Sequence, residues 1–210
     1  MPIITAITPQ VKNPDFYNLF VDGKFVCGVT ITIIGNYKLK VSKEITEPEI
    51  DEIIKESEIG KLYNRALRFL AVRPRSESEI DQYVRKTLGK KKEPVENLTE
   101  TIEVIINRLK KYNYVNDSDF TKWWIENRTN AKKPSGKRKI VSELYKKGIA
   151  KETIENVWQS LNVDNATLIN QLLPKLKAKY DIKNSNEKAK LIRVLMSRGF
   201  GWDEIRSVLQ

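Results

Sequence analysis

The chain of 210 residues contains no histidine and one cysteine, Cys27. Without histidine it cannot build a His-ligated zinc site, a Ser-His-Asp triad or a Cys-His pair from its own residues. A single cysteine excludes internal disulfides and a Cys-only zinc site, and fits a reducing cytoplasm. No apolar run has membrane-spanning length, and mean hydropathy is −0.48, the balance of a soluble chain with no membrane partner. Met1-Pro2-Ile3-Ile4 lacks the basic start and apolar stretch of a signal peptide. GxGxxG is missing, and Gly89-Lys90-Lys91 and Gly136-Lys137-Arg138 lack the hydroxyl residue that a P-loop places after its lysine. Nothing therefore points to a cofactor or to an enzyme. A magnesium-dependent nuclease would have to use Asp117, Asp119 or the acids between Glu47 and Glu58, and the first two suit helix caps better.

What the chain has is positive charge, unevenly placed. The net is +11, yet residues 1–60 hold six lysines against nine carboxylates, a net of −3 that leaves +14 for residues 61–210. Between Arg128 and Lys147 there are eight basic residues and one acid, Glu143. Such a stretch reads as a surface that meets something negative. Lys132, Lys133, Lys137, Arg138 and Lys139 stand at a loop and a helix start, where cations oppose the helix dipole, so a partner would explain them. Arg73 and Arg75 flank another helix start and divide between partner contact and pairing with Glu77 or Glu79. Arg193 lies mid-helix beside apolar neighbours and is expected to line the same partner-binding face. Lys90, Lys91 and Lys92 form a further basic run, whereas Lys146, Lys147 and Arg198 read as cations that complement helix C-termini.

Periodicity sets the fold class: mainly α, with a small β region first. Residues 1–45 read as a β-hairpin extension, with Asp15–Val21 and Lys24–Thr30 flanking the turn dipeptide Asp22-Gly23 and Ile3–Thr8 as a third strand. Thr46-x-x-Glu49 is a capping box opening a linking helix over 46–60, where Gly60 reads as an interruption. Ser76-x-x-Glu79 is a second capping box, Asn116-Asp117-Ser118 an N-cap cluster, and Gly148 a left-handed C-cap with Ile149 folding back. Trp123 and Trp124 point about 100° apart on one helix, so one is expected in the core with Phe120. Trp158 reads as core, and Tyr112 and Tyr114 as packing where units meet.

The pattern recurs. A shift of 51 carries Ile140, Leu144, Gly148, Ile154 and Trp158 onto Leu191, Leu195, Gly199, Ile205 and Leu209; a shift of 52 in the other direction carries Ile154, Val157, Trp158 and Leu161 onto Ile102, Ile105, Ile106 and Leu109. Three three-helix repeats follow, over 61–114, 115–162 and 163–210, each with a middle helix stopped by glycine. Units of about 50 residues bury little alone, so neighbours are expected to stack into a curved array.

Ala66-Leu67-Arg68-Phe69-Leu70 followed by Arg73-Pro74-Arg75-Ser76-Glu77-Ser78-Glu79-Ile80 resembles the opening signature of RecX regulatory proteins. Leu109-x-x-Tyr112-x-Tyr114-Val115-Asn116-Asp117-x-x-Phe120 is similar to the family's next signature. Gly136-x-x-x-Ile140-x-x-Glu143-Leu144-x-x-Lys147-Gly148-Ile149 is similar to its middle-repeat signature. In unit one the family expects a glycine where Leu88 stands, with Gly89 following, and the loop around Pro94 is longer and richer in lysine. The resemblance implies a non-enzymatic, cytoplasmic regulator that binds the RecA–single-stranded DNA filament, directly on DNA or through RecA, and restrains ATPase and strand exchange. The chain reads as a monomer. A general nucleic-acid-binding helical repeat without a recombinase partner is the alternative. Such a binder, engaging six or more phosphates, should lose about 10³-fold or more in DNA affinity between about 50 and 200 mM salt; a shallow salt slope for the isolated protein counts against it.

Overall fold

The computed structural model describes residues 1–11, 13–89 and 97–209, so the lysine run at 90–92 and Pro94 lie outside the described residues. The chain is mainly helical, a tandem array of three three-helix repeats behind a small N-terminal sheet. It divides into two compact units, Met1–Val72 with Val84–Leu109 and Arg73–Tyr83 with Lys110–Gln210.

The first unit begins with β1 (Ile4–Pro9), β2 (Phe16–Val21) and β3 (Lys24–Thr30), antiparallel in that order. Asp22 and Gly23 have φ of 49° and 77°, the paired positive values that a type I′ turn needs. Ile4, Leu19, Val21, Cys27 and Val29 are buried in one apolar cluster. After β3 the β-branched run does not continue as strand. Ile31–Asn36 forms a short helix, α1, whose first turn is capped by Thr30 Oγ1 and which buries Ile33. Tertiary burial overrides β propensity here.

Helix α2 (Glu47–Val72) covers the sheet with Ile50 and Ile53, and the buried Ser57 hydroxyl donates to the Gly28 carbonyl. Its start is the expected capping box: the Thr46 amide donates to Glu49 Oε2 at 3.0 Å and the Glu49 amide to Thr46 Oγ1 at 3.4 Å. Gly60 does not interrupt it; the helix is continuous for 26 residues, because packing against the sheet offsets the roughly 1 kcal/mol propensity cost of a glycine. Helices α3 (Glu77–Leu88) and α4 (Leu98–Lys111) complete the first repeat, and Arg108 on α4 pairs with Glu56 on α2 at 2.8 Å.

The second repeat is α5 (Asp117–Thr129), α6 (Lys137–Lys146) and α7 (Lys151–Leu161); the third is α8 (Asn165–Lys177), α9 (Ser185–Ser197) and α10 (Trp202–Leu209). Asn116, Asp164 and Asn184 cap α5, α8 and α9 through their side-chain oxygens. Each repeat closes on its own apolar cluster, Phe120, Ile125, Ile140, Leu144, Ile154 and Trp158 in one and Ile169, Leu191, Leu195, Phe200 and Ile205 in the other.

The two later middle helices end alike. Gly148 has φ of 77° and Gly199 of 91°, while Ile149 and Phe200 donate back to the carbonyls of Leu144 and Leu195 at 3.2 and 3.3 Å. This is the Schellman arrangement. Each end then seats on the start of the preceding middle helix. Ser76 Oγ donates to the Lys147 carbonyl at 2.7 Å, and the amides of Gly136 and Arg138 donate to the carbonyls of Arg198 and Gly199 at 2.9 and 3.1 Å.

A Cβ on Gly148 would lie 2.4 Å from the Ser78 Cβ, on a backbone that β-branched residues resist. Gly148→Val should therefore lower the melting temperature by roughly 5–10 °C, from about 2–3 kcal/mol of strain and collision. Gly35→Ala, where a Cβ meets nothing within 4 Å, should leave it unchanged within about 2 °C; equal melting of both variants would contradict the junction.

Candidate functional site

The basic stretch is not uniformly surface. Pro134, Ser135 and Gly136 are buried in its centre, with Lys132, Lys133, Lys137, Arg138 and Lys139 exposed on either side. The loop leaves α5 at Asn130 and is pinned on its return by the Ser135 amide, which donates to the Arg128 carbonyl at 3.1 Å. Gly136 is the N-cap of α6 and offers no side-chain acceptor. The carbonyls of Arg198 and Gly199 serve instead, so the start of this helix is satisfied from within the chain although three cations crowd it.

A side chain at Gly136 is impossible in this seat, since its Cβ would lie 2.6 Å from Gly199 backbone. Lys137 extends over the Trp158 ring at 5.3 Å. The backbone of Lys139 packs on Gly199 while its ammonium stays in solvent. Among the described residues none of these five cations has an ion-pair partner. Arg193 is exposed on α9, the helix whose C-terminus seats on Gly136, and has no ion pair among the described residues either.

Arg73 and Arg75 sit differently. Arg73 forks onto Glu79, with Nη2 to Oε1 at 2.7 Å and Nη1 to Oε2 at 3.0 Å, and Arg75 Nη1 is 3.9 Å from the same carboxylate. Burial lowers the Arg75 pKa, and the neighbouring Arg73 charge adds to that. Lys147, which reads from sequence as a local helix cap, reaches back 68 residues to Glu79 at 2.7 Å. Burial alone would push the Glu79 carboxyl up, but the hydrogen bonds and charges of Arg73 and Lys147 pull it down to about 2.

Beside this pair stands Trp124, with Arg128, Lys147 and Arg73 at 4.5, 5.1 and 5.9 Å from its ring and its Nε1 donating to Glu143 at 3.0 Å. Glu143 also accepts from Arg128 Nε at 2.7 Å. The lone acid of the basic stretch is thus occupied by an indole and an arginine. Sequence reasoning missed this cage because its members come from three separate segments.

The aromatics differ from expectation in two places. Trp123 and Trp124 are both half-buried against Phe120, at 6.0 and 5.7 Å, so neither is a full core residue; the cations beside them need the ring faces. Tyr112 and Tyr114 are 62% and 55% exposed and lean on each other at 6.3 Å, rather than packing between repeats, since Asn113 turns the chain outward with φ of 55°. Trp158 is buried, as its stripe position requires.

Comparison with known proteins adds the following. A family profile described as the regulatory protein RecX N-terminal domain matches residues 2–46, and one described as RecX, third three-helix domain, matches residues 166–209. The regulatory protein RecX of Bacillus subtilis (strain 168) is 32% identical over 216 residues, covering 100% of this chain and 76% of the relative. That of Bacillus velezensis is 33% identical over 217 residues, covering 100% and 77%. A crystal structure titled regulatory protein RecX superposes with a TM-score of 0.76 over 99% of this chain and 98% of the other at 21% identity. RecX from Lactobacillus salivarius gives 0.59 over 72% and 94% at 25% identity. Among the described residues no helix is long and apolar enough to cross a membrane.

The cage has a pH signature. Because the folded Glu79 pKa of about 2 lies below the ordinary 4.5, its contribution is fully present above pH 4.5 and is lost as pH falls toward 2. Glu79→Gln should cost about 2–3 kcal/mol at neutral pH, read as a lower urea midpoint, by leaving Arg73 and Lys147 without their carboxylate. The gap between wild type and variant should shrink as pH drops through that window. A gap independent of pH would contradict the assignment.

Proposed function

Because the chain belongs to the RecX family of regulatory proteins, we propose that it acts in the cytoplasm as a monomeric, non-enzymatic regulator that binds the RecA–single-stranded DNA filament. Bound there, it restrains RecA's ATPase and strand exchange. The observation that carries this reading is the set of exposed cations at Lys132, Lys133, Lys137, Arg138 and Lys139, none of which forms an ion pair among the described residues. Unpaired charge held on a firmly seated loop is suited to a polyanion, because the loop is already ordered before binding.

Arg193 extends the proposed contact along α9. Arg73 and Arg75 are assigned to the fold rather than to the partner, since Glu79 already holds them. The filament offers two anionic surfaces, DNA phosphates and the carboxylates of its protomers. The family membership favours the recombinase-bound strand over bare nucleic acid as the target.

Changing Lys137, Arg138 and Lys139 together to Glu should abolish the protein's effect on RecA's DNA-dependent ATPase while leaving its helical circular dichroism unchanged. Wild-type protein without effect at stoichiometric amounts and low salt would refute the proposed function. An active triple variant would refute only the proposed surface.

A further inference from the structure

A second cationic feature lies in the first compact unit, on the C-terminal half of α2. Lys61, Arg65 and Arg68 are exposed, and among the described residues none has an ion-pair partner. Spacings of four and three place them on one stripe spanning about 10 Å of helix axis. No acid occurs between Glu58 and Glu77 to balance them. The helix dipole does not account for the stripe, because α2 ends at Val72 and Lys61 and Arg65 stand beyond its last turn, where that effect has faded.

These three cations line a groove of about 170 Å³ with Gln10, Asn13 and Asn64, floored by the buried Phe16. The Gln10 carboxamide is held in place: its Nε2 donates to Asn18 Oδ1 at 2.8 Å, and it lies where a Cβ on Gly28 would come within 2.6 Å. The groove thus combines a row of unpaired cations with carboxamides that can both donate and accept.

We propose that this groove is a separate site for single-stranded DNA, taking its phosphodiester backbone directly and without the recombinase. Three cations in a row suit a chain of phosphates better than one phosphate, which needs donors that converge. A single strand carries one phosphate per nucleotide in unbroken succession, so neighbouring cations along the stripe can each meet a successive phosphate. Base edges beside that backbone offer the donors and acceptors that Gln10, Asn13 and Asn64 complement. The carboxylates of an acidic protein lack that regular spacing. The proposal does not rest on the filament-binding reading, since it concerns other residues and a binding event with no RecA present.

The test is fluorescence anisotropy of a labelled oligothymidylate with the full chain alone, across a salt series. Lys61→Gln/Arg65→Gln/Arg68→Gln should bind about tenfold more weakly at low salt. Its plot of log affinity against log salt should be shallower by about 2, at about 0.7 for each phosphate that is no longer neutralised. Lys61→Arg should bind as wild type, and circular dichroism and melting should match for all three proteins. The proposal is overturned if the wild type binds no oligothymidylate, or if the triple variant keeps its affinity and salt slope. It is likewise overturned if the variant keeps both but loses its effect on RecA's ATPase, which would assign the groove to an acidic protein surface.

Discussion

The later repeats depend on one contact, the C-terminus of a middle helix set against the N-terminus of the preceding one. Where α9 meets α6, carbonyls with partial negative charge meet amides with partial positive charge, so two sets of orphan backbone groups are satisfied together; where α6 meets α3, the Ser76 hydroxyl donates to the Lys147 carbonyl. The approach is possible because glycine stands where a side chain would collide, at Gly148 against Ser78 and at Gly136 against Gly199. Alanine at either position would force the helices apart and leave the part-buried carbonyl of Lys147 or that of Gly199 without its donor.

That contact also sorts the cations into two classes. Arg73, Arg75, Lys147 and Arg128 face the carboxylates of Glu79 and Glu143 around Trp124; Lys147 ties α6 to the start of α3, and Arg128 ties α5 to α6. The loop lysines and Arg138 are supported from beneath by Pro134–Gly136 and by the end of α9, and they keep their charge in solvent. A chain with +14 over its last 150 residues can therefore hold a fixed scaffold and an unneutralised face together, because one carboxylate, Glu79, serves three cations at once.

Features governed by local chemistry were legible in the sequence. The Asp22-Gly23 turn, the capping boxes at Thr46 and Ser76, the Asn116 cap and the Gly148 stop all rest on residues within a few positions of one another. The family signatures and the glycine-terminated repeat were legible for the same reason. Long-range partners were not. The pairing of Lys147 with Glu79 spans 68 residues, and nothing near Lys147 distinguishes it from an ordinary C-terminal cap. Ile31–Asn36 falls in the stretch over 1–45 that reads as β, and Gly60 reads as a break; the decision in both belongs to what packs against them. For the candidate surface, the sequence identified the exposed lysines but not that the chain itself caps the helix beneath them.

Hydrogen–deuterium exchange of the full chain, free and pelleted with RecA on single-stranded DNA, tests the proposed surface most directly. Slowed exchange over Asn130–Lys139 and along α9, with α4 unaffected, is the expected result. Unchanged exchange over that loop in a chain that does pellet with the filament would contradict it.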